Sequence, residues 1–166
     1  MTAKKTAYLG VMAAIALCLS YLESLLPPLP FSIPGIKLGL ANFAILLTLY
    51  LFGIKEAAIV NFIRIVLASF LFGNFYSFMF SLCGGALSLF VESLLYKRKN
   101  INELFVSVMG GLSHNLGQLL FCFLLMRNLY IIDYFVFLAV SGFVTGLLIG
   151  LLVKILRPRL LKILKL

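Results

Sequence analysis

The sequence predicts an all-α integral membrane protein of six transmembrane helices with both termini in the cytoplasm. Three observations carry this. Of its 166 residues, 63% are hydrophobic and only 11% charged, and the mean hydropathy is +1.16. The apolar residues fall in long runs, and most of the charges fall between the runs. A water-soluble domain of this size has too much surface for its volume to hide so much apolar area. Runs of about 20 apolar residues are what a bilayer core requires.

Breaks in hydrophobicity place the spans at about 6–26, 36–53, 55–72, 76–96, 102–126 and 130–156, within one domain covering residues 1–166. Pro27, Pro28 and Pro30 end the first span, because proline cannot continue a helix and restricts the residue before it. Gly53 and the Gly73-Asn74 pair punctuate the next two boundaries, and Lys97-Arg98-Lys99-Asn100 closes the fourth span. Lys4 and Lys5 before the first run resemble a secretory signal. The run is long enough to span and no A-x-A-like site follows it, so it reads as a retained helix.

The net charge of +9 does not point to nucleic acid, because the basic residues lie in short clusters between apolar runs. Threading six spans puts Lys4, Lys5, Lys55, Lys97, Arg98, Lys99, Lys154, Arg157, Arg159, Lys162 and Lys165 on one side, eleven of the fourteen basic residues. Lys37 and Arg127 fall on the other, and Arg64 lies within the third span. Excess Lys and Arg mark the cytoplasmic side. The tyrosines agree: Tyr8, Tyr50 and Tyr96 fall at inner ends, and Tyr21, Tyr76, Tyr130 and Tyr134 at outer ends, where aromatic anchors belong. Cys18, Cys83 and Cys122 sit in apolar runs without C-x-x-C spacing and read as small apolar filler.

Small residues recur where helices can approach closely. Gly142, Gly146 and Gly150 form a stripe in helix six that reads as internal packing, and Gly84, Gly85 and Ser88 are similar in helix four. Ala7, Gly10 and Ala14 lie near the cytoplasmic end of helix one. There, docking of a partner subunit and internal packing are equally open readings.

The polar residues inside these spans carry the functional expectation. His114 and Gln118 are one turn apart on helix five, with Asn115 beside them and Gly110, Gly111 and Gly117 around them. Arg64 lies midway along helix three, where a lipid-facing guanidinium costs about 2.5–3.5 kcal/mol or more. Such groups must face the bundle interior or water. Glu23 is the expected counter-ion; Glu92, a turn from the cytoplasmic end of helix four, is expected to snorkel to the interface. With Lys37, Asn42 and Asn74 in the outer half, the candidate substrate-binding set is Glu23, Lys37, Asn42, Arg64, Asn74, His114, Asn115 and Gln118. The pattern fits an outward-opening cavity, floored by Arg64 and His114, for a small anionic or hydrogen-bonding molecule. The segment "PPLPFSIPGIKLGLAN" is stiff and non-helical; it covers the cavity mouth or serves as a plain connector.

Catalytic signatures are missing. No G-x-x-x-x-G-K-[ST] loop is present. Asp133 is the one aspartate, so no carboxylate pair can hold the magnesium of diphosphate chemistry. One histidine cannot build a multi-histidine metal site. The expectation is a non-enzyme without metal or cofactor.

The strings "LSYLESLLP", "GIKLGLANFAILLTLYLFG", "NFIRIVLASFLFGN" and "GGLSHNLGQLL" occur in that order across nearly the whole chain. They resemble the Gx transporter family, also labelled heptaprenyl diphosphate synthase component I. That family is similar to the substrate-binding S components of energy-coupling-factor (ECF) importers. The resemblance implies a six-helix bundle with an outward-facing ligand site, a transmembrane coupling subunit and cytoplasmic ATPases supplied by other chains. Gly35, Lys37, Gly39, Asn42, Arg64, His114, Asn115 and Gln118 are the matching motif residues.

The leading expectation is a substrate-binding subunit of an ECF-type importer, multi-pass in the cell membrane of a bacterium. The alternative is a non-catalytic membrane component associated with polyprenyl diphosphate synthesis or with quinone- or flavin-linked electron transfer. A scaffold without a ligand is the third. A scaffold needs no solvated polar pocket, and an isoprenoid site would be apolar and open toward lipid.

Overall fold

A computed structural model describes residues 3–25, 38–98, 100–127 and 134–164. Six helices follow one another: α1 (Ala3–Leu25), α2 (Asn42–Phe52), α3 (Ile54–Phe72), α4 (Phe75–Tyr96), α5 (Glu103–Met126) and α6 (Tyr134–Leu164). No strand occurs among the described residues. The helix starts have local causes. Asn74 accepts the Ser77 N–H at 2.9 Å and Asn102 accepts the Phe105 N–H at 2.8 Å, so each side chain satisfies an otherwise orphaned donor of the first turn.

α1, α4, α5 and α6 are long and apolar enough to cross a membrane. α3 has 19 residues but carries Lys55, Glu56 and Arg64. Around the outside, Phe70, Leu71, Phe75, Leu124, Val136, Phe137 and Leu148 are all more than half exposed. A girdle of that size is unsustainable in water and is what a lipid-facing surface looks like.

α2 departs from the expected span of 36–53. It begins at Asn42 and has 11 residues, about 16 Å of helix against a hydrocarbon core of about 30 Å. Residues 38 and 39 are not helical, and 40 and 41 form a turn. Gly39 sets the break with φ 86°, a left-handed conformation that side chains other than glycine's resist. Hydropathy alone had extended the helix, because the residues before Asn42 are apolar and buried: Ala41 is fully enclosed.

This short helix is the hub of the bundle. It packs against all five other helices, and eight of its residues are buried. α1 leans on α2 and α3 only, while α5 lies between α4 and α6. Ile45, Leu46 and Leu49 of α2 form an apolar cluster with Leu9, Met12, Val60, Val106, Ile149 and Val153 in the half of the bundle nearer the termini. Phe80, Leu119 and Cys122 form a second cluster in the opposite half.

Ion pairs fasten the end that carries both termini. Lys5 Nζ meets Glu56 Oε1 at 2.5 Å, joining α1 to α3, and Arg157 pairs with Glu103, joining α6 to α5. α6 continues through Pro158 for 31 residues, about 45 Å, so it overruns the bilayer. Leu160, Leu161 and Leu164 in its last turns pack back against the apolar cluster.

The glycine stripe of α6 is internal packing, as expected. Its partner is α5: a Cβ on Gly111 would strike the Gly142 carbonyl, and one on Gly146 would lie 2.7 Å from Val108 Cα and 2.9 Å from Ser107 O. By contrast, Ala7, Gly10 and Ala14 are exposed, and a Cβ on Gly10 meets nothing within 4 Å. Gly146→Ala should therefore destabilise the protein in detergent by about 1–3 kcal/mol, because backbone atoms cannot move aside. Gly10→Ala should be neutral or slightly stabilising. Equal chemical-denaturation midpoints for the two variants would contradict this packing.

Candidate functional site

Between the two apolar clusters lies a layer of buried polar side chains from α1 to α5, joined from α6 by the partly buried Thr145. His114 is 11 residues from the start of α5, or about 16 Å along its axis, and so sits near mid-bilayer. The broken backbone before α2 lies at the same depth, since a Cβ on Gly39 would be 3.3 Å from His114 Cδ2. Non-helical backbone at such depth is tolerated only where protein or a water-filled cavity satisfies it. Here Glu23 Oε1 accepts the Gly39 N–H at 2.5 Å, and Thr145 Oγ1 donates to Leu38 O at 3.4 Å. The turn then closes on itself through Asn42 N–H to Gly39 O at 2.9 Å.

Four groups of contacts build the layer outward from this break. Arg64 Nε donates to Asn61 Oδ1 at 3.0 Å, and Asn61 Nδ2 donates to Gly85 O at 3.1 Å, tying α3 to α4. Asn42 Nδ2 donates to Ser88 Oγ at 3.4 Å, and Ser88 Oγ donates to Glu92 Oε1 at 3.4 Å. His114 sits between Gly39 and Gly84, with its Nε2 3.2 Å from Gln118 Nε2. Asn115 Nδ2 donates to Leu138 O at 2.7 Å, which ties α5 to α6.

Arg64 is 2% exposed, and the negative charge of Glu23, itself 7% exposed, acts on it through space. Even so, one guanidinium nitrogen, Nη2, has no hydrogen-bond partner among the described residues. The same is true of Asn115 Oδ1, Ser20 Oγ and Ser81 Oγ. Buried polar atoms are almost always satisfied. A concentration of unused donors and acceptors on α1, α3, α4 and α5 is hydrogen-bonding capacity that a small polar molecule or water can use.

The fold thus brings Glu23, Asn42, Arg64, His114, Asn115 and Gln118 into one layer. Asn74 stands apart, exposed, with its side chain committed to capping α4. Lys37 and Gly35 lie outside the described residues. Glu92 corrects an expectation: it is 2% exposed and turned inward, and its carboxylate occupies the space that a Cβ on Gly110 would need. Ser88, Glu92 and Asn61 are members of the layer that sequence reasoning missed. The signal was available, since Ser88 and Glu92 are one turn apart on α4, on the face that carries Gly84 and Gly85.

The comparisons with known proteins follow the same span. A family model described as heptaprenyl diphosphate synthase component I matches residues 12–156. No curated protein and no solved structure matches.

The pairing of Arg64 with Glu23 can be tested by a double-mutant cycle. Arg64→Leu should cost about 3 kcal/mol or more, because it takes a cation away from the buried Glu23 carboxylate and the donor away from Asn61 Oδ1. Glu23→Gln in the Arg64→Leu background should restore part of that loss, giving a coupling of about 1 kcal/mol or more. Additive losses in chemical denaturation would show that the two charges act independently.

Proposed function

The chain belongs to the heptaprenyl diphosphate synthase component I family, and from that premise we propose that it is a membrane-embedded, non-catalytic small-molecule-binding subunit. In this reading it acts as the S-component-like part of an ECF-type importer, in the cytoplasmic membrane with both termini inside. Other chains supply the coupling subunit and the ATPases. The observation that carries it is the polar layer itself: a cation, an imidazole and several amides grouped around the start of α2 at mid-bilayer, with unsatisfied atoms among them. A scaffold has no use for that arrangement, which costs stability and gains nothing in packing. The start of α2 adds to it, since a helix that begins inside the bilayer aims the positive end of its dipole at the layer. These features suit a small molecule with a carboxylate or several hydrogen-bonding groups. Ala7, Gly10 and Ala14 support a docking face on α1, because all three are exposed and a Cβ on Gly10 would meet nothing within 4 Å.

The family description favours a second reading, a membrane component of prenyl diphosphate synthesis that binds a catalytic partner. The two readings differ in ligand. An isoprenoid calls for an apolar groove open to lipid, while the charged layer calls for a polar solute.

Mass spectrometry of small molecules that co-purify with the detergent-solubilised protein tests this directly. A polar metabolite should be recovered with the parent chain, and it should raise the melting temperature when added back. Gln118→Leu should weaken that binding by about 1–3 kcal/mol. Gly10→Leu should bind normally but lose any co-purifying membrane subunit. Recovery of a prenyl compound instead, insensitive to Gln118→Leu, would favour the second reading.

A further inference from the structure

A cavity lies at the end of the bundle that carries the start of α1 and the end of α6, about one turn of α4 beyond Glu92. Its volume is about 430 Å³, and Tyr50, Tyr96, Arg98, Asn100, Glu103 and Arg157 line it. That is within the range of small-molecule sites, roughly 300–1,000 Å³. The wall is polar and net cationic: two arginines against one glutamate leave a charge of +1.

Arg157 is held in place from two sides. It pairs with Glu103 through Nη1, and its guanidinium lies 4.8 Å from the centroid of the Tyr50 ring. Tyr50 is in turn braced edge-on by Tyr96 at 5.2 Å. Arg157 Nε is nevertheless buried without a hydrogen-bond partner among the described residues. Arg98 is exposed at the rim and makes no ion pair among the described residues. One oriented arginine with a spare donor and one arginine without an ion pair among the described residues thus line the same cavity.

The depth of the cavity matters as much as its charge. Tyr50 and Tyr96 end apolar helices, the level at which aromatic rings meet the lipid headgroups. Arginines at that level match phosphate oxygens in geometry and charge.

We propose that this cavity is a phosphate-binding site, occupied by the phosphate of an anionic lipid headgroup or by a free phosphate. It is independent of the mid-bilayer layer, and neither needs the other. Arg98 supplies the capturing charge, Arg157 the oriented donor, and Glu103 limits affinity by holding Nη1. The acid gives the site a distinctive sign: removing it strengthens binding, whereas a merely structural ion pair would not.

The test is isothermal titration calorimetry of the full chain in nonionic detergent. The titrants are short-chain phosphatidic acid and inorganic phosphate, with sodium chloride at matched ionic strength as the baseline. Saturable binding above that baseline is expected. Arg98→Gln should weaken it about tenfold, and Glu103→Gln should tighten it several-fold. Arg159→Gln, an exposed cation outside the cavity, should leave it unchanged. Saturation by phosphatidic acid alone identifies a lipid headgroup, and equal saturation by both titrants identifies the phosphate group itself. No saturable binding by either overturns the proposal. So does an Arg159→Gln loss as large as that of Arg98→Gln, because diffuse charge would then explain the effect.

Discussion

The backbone at Leu38–Ala41 leaves helical geometry at mid-bilayer, and its N–H and C=O groups must still be satisfied there. Each such group left unpaired in hydrocarbon costs several kcal/mol. This one constraint accounts for much of the surrounding chemistry. Glu23 is buried because it accepts the Gly39 N–H, and Thr145 reaches across from α6 to Leu38 O. The charge of Glu23 in turn favours a cation in the same layer, and Arg64 lies within reach of its field. Arg64 requires an acceptor, and Asn61 provides one while tying itself to the Gly85 carbonyl. The polar layer is a sequence of obligations that begins at the broken backbone.

Glycine makes the layer geometrically possible. His114 fits between α2 and α4 because Gly39 and Gly84 present no side chain to it, and α5 meets α6 so closely that Gly111 lies against the Gly142 carbonyl. Lipid offers helices no hydrophobic reason to associate, so close backbone approach and interhelical hydrogen bonds must hold them together. Apolar clusters pack on either side of the layer. Polar groups enclosed in this way interact strongly, since little solvent is present to screen them.

The helical class and most boundaries were legible from hydropathy, because proline, glycine and charge punctuate the runs. The depths of Arg64 and His114 followed from counting along their helices. What could not be read was the start of α2: "GIKLGLAN" is as apolar as a helix, and hydropathy reports burial, not backbone conformation. Glu92 was misplaced for a related reason. Position near a helix end suggested snorkelling, but the direction of a side chain depends on which face its helix turns inward, and Gly110 on the neighbouring helix opens room for it there. Asn74 was assigned to a ligand where its local pattern, an asparagine immediately before an apolar run, is that of a helix cap.

The brevity of α2 also bears on how the chain is made. A helix of 11 residues falls well short of the roughly 20 apolar residues that partition into a bilayer on their own merits. Its leading edge keeps Gly39 N–H and Leu38 O without these partners until Glu23 of α1 and Thr145 of α6 are in place. α2 is joined to α3 through Gly53 alone, so the two enter as a hairpin, with the longer arm carrying the shorter. Assembly is then necessarily ordered: the independently stable spans settle first, and the hub is the last piece to reach its final depth. The centre of this protein is finished from the outside in.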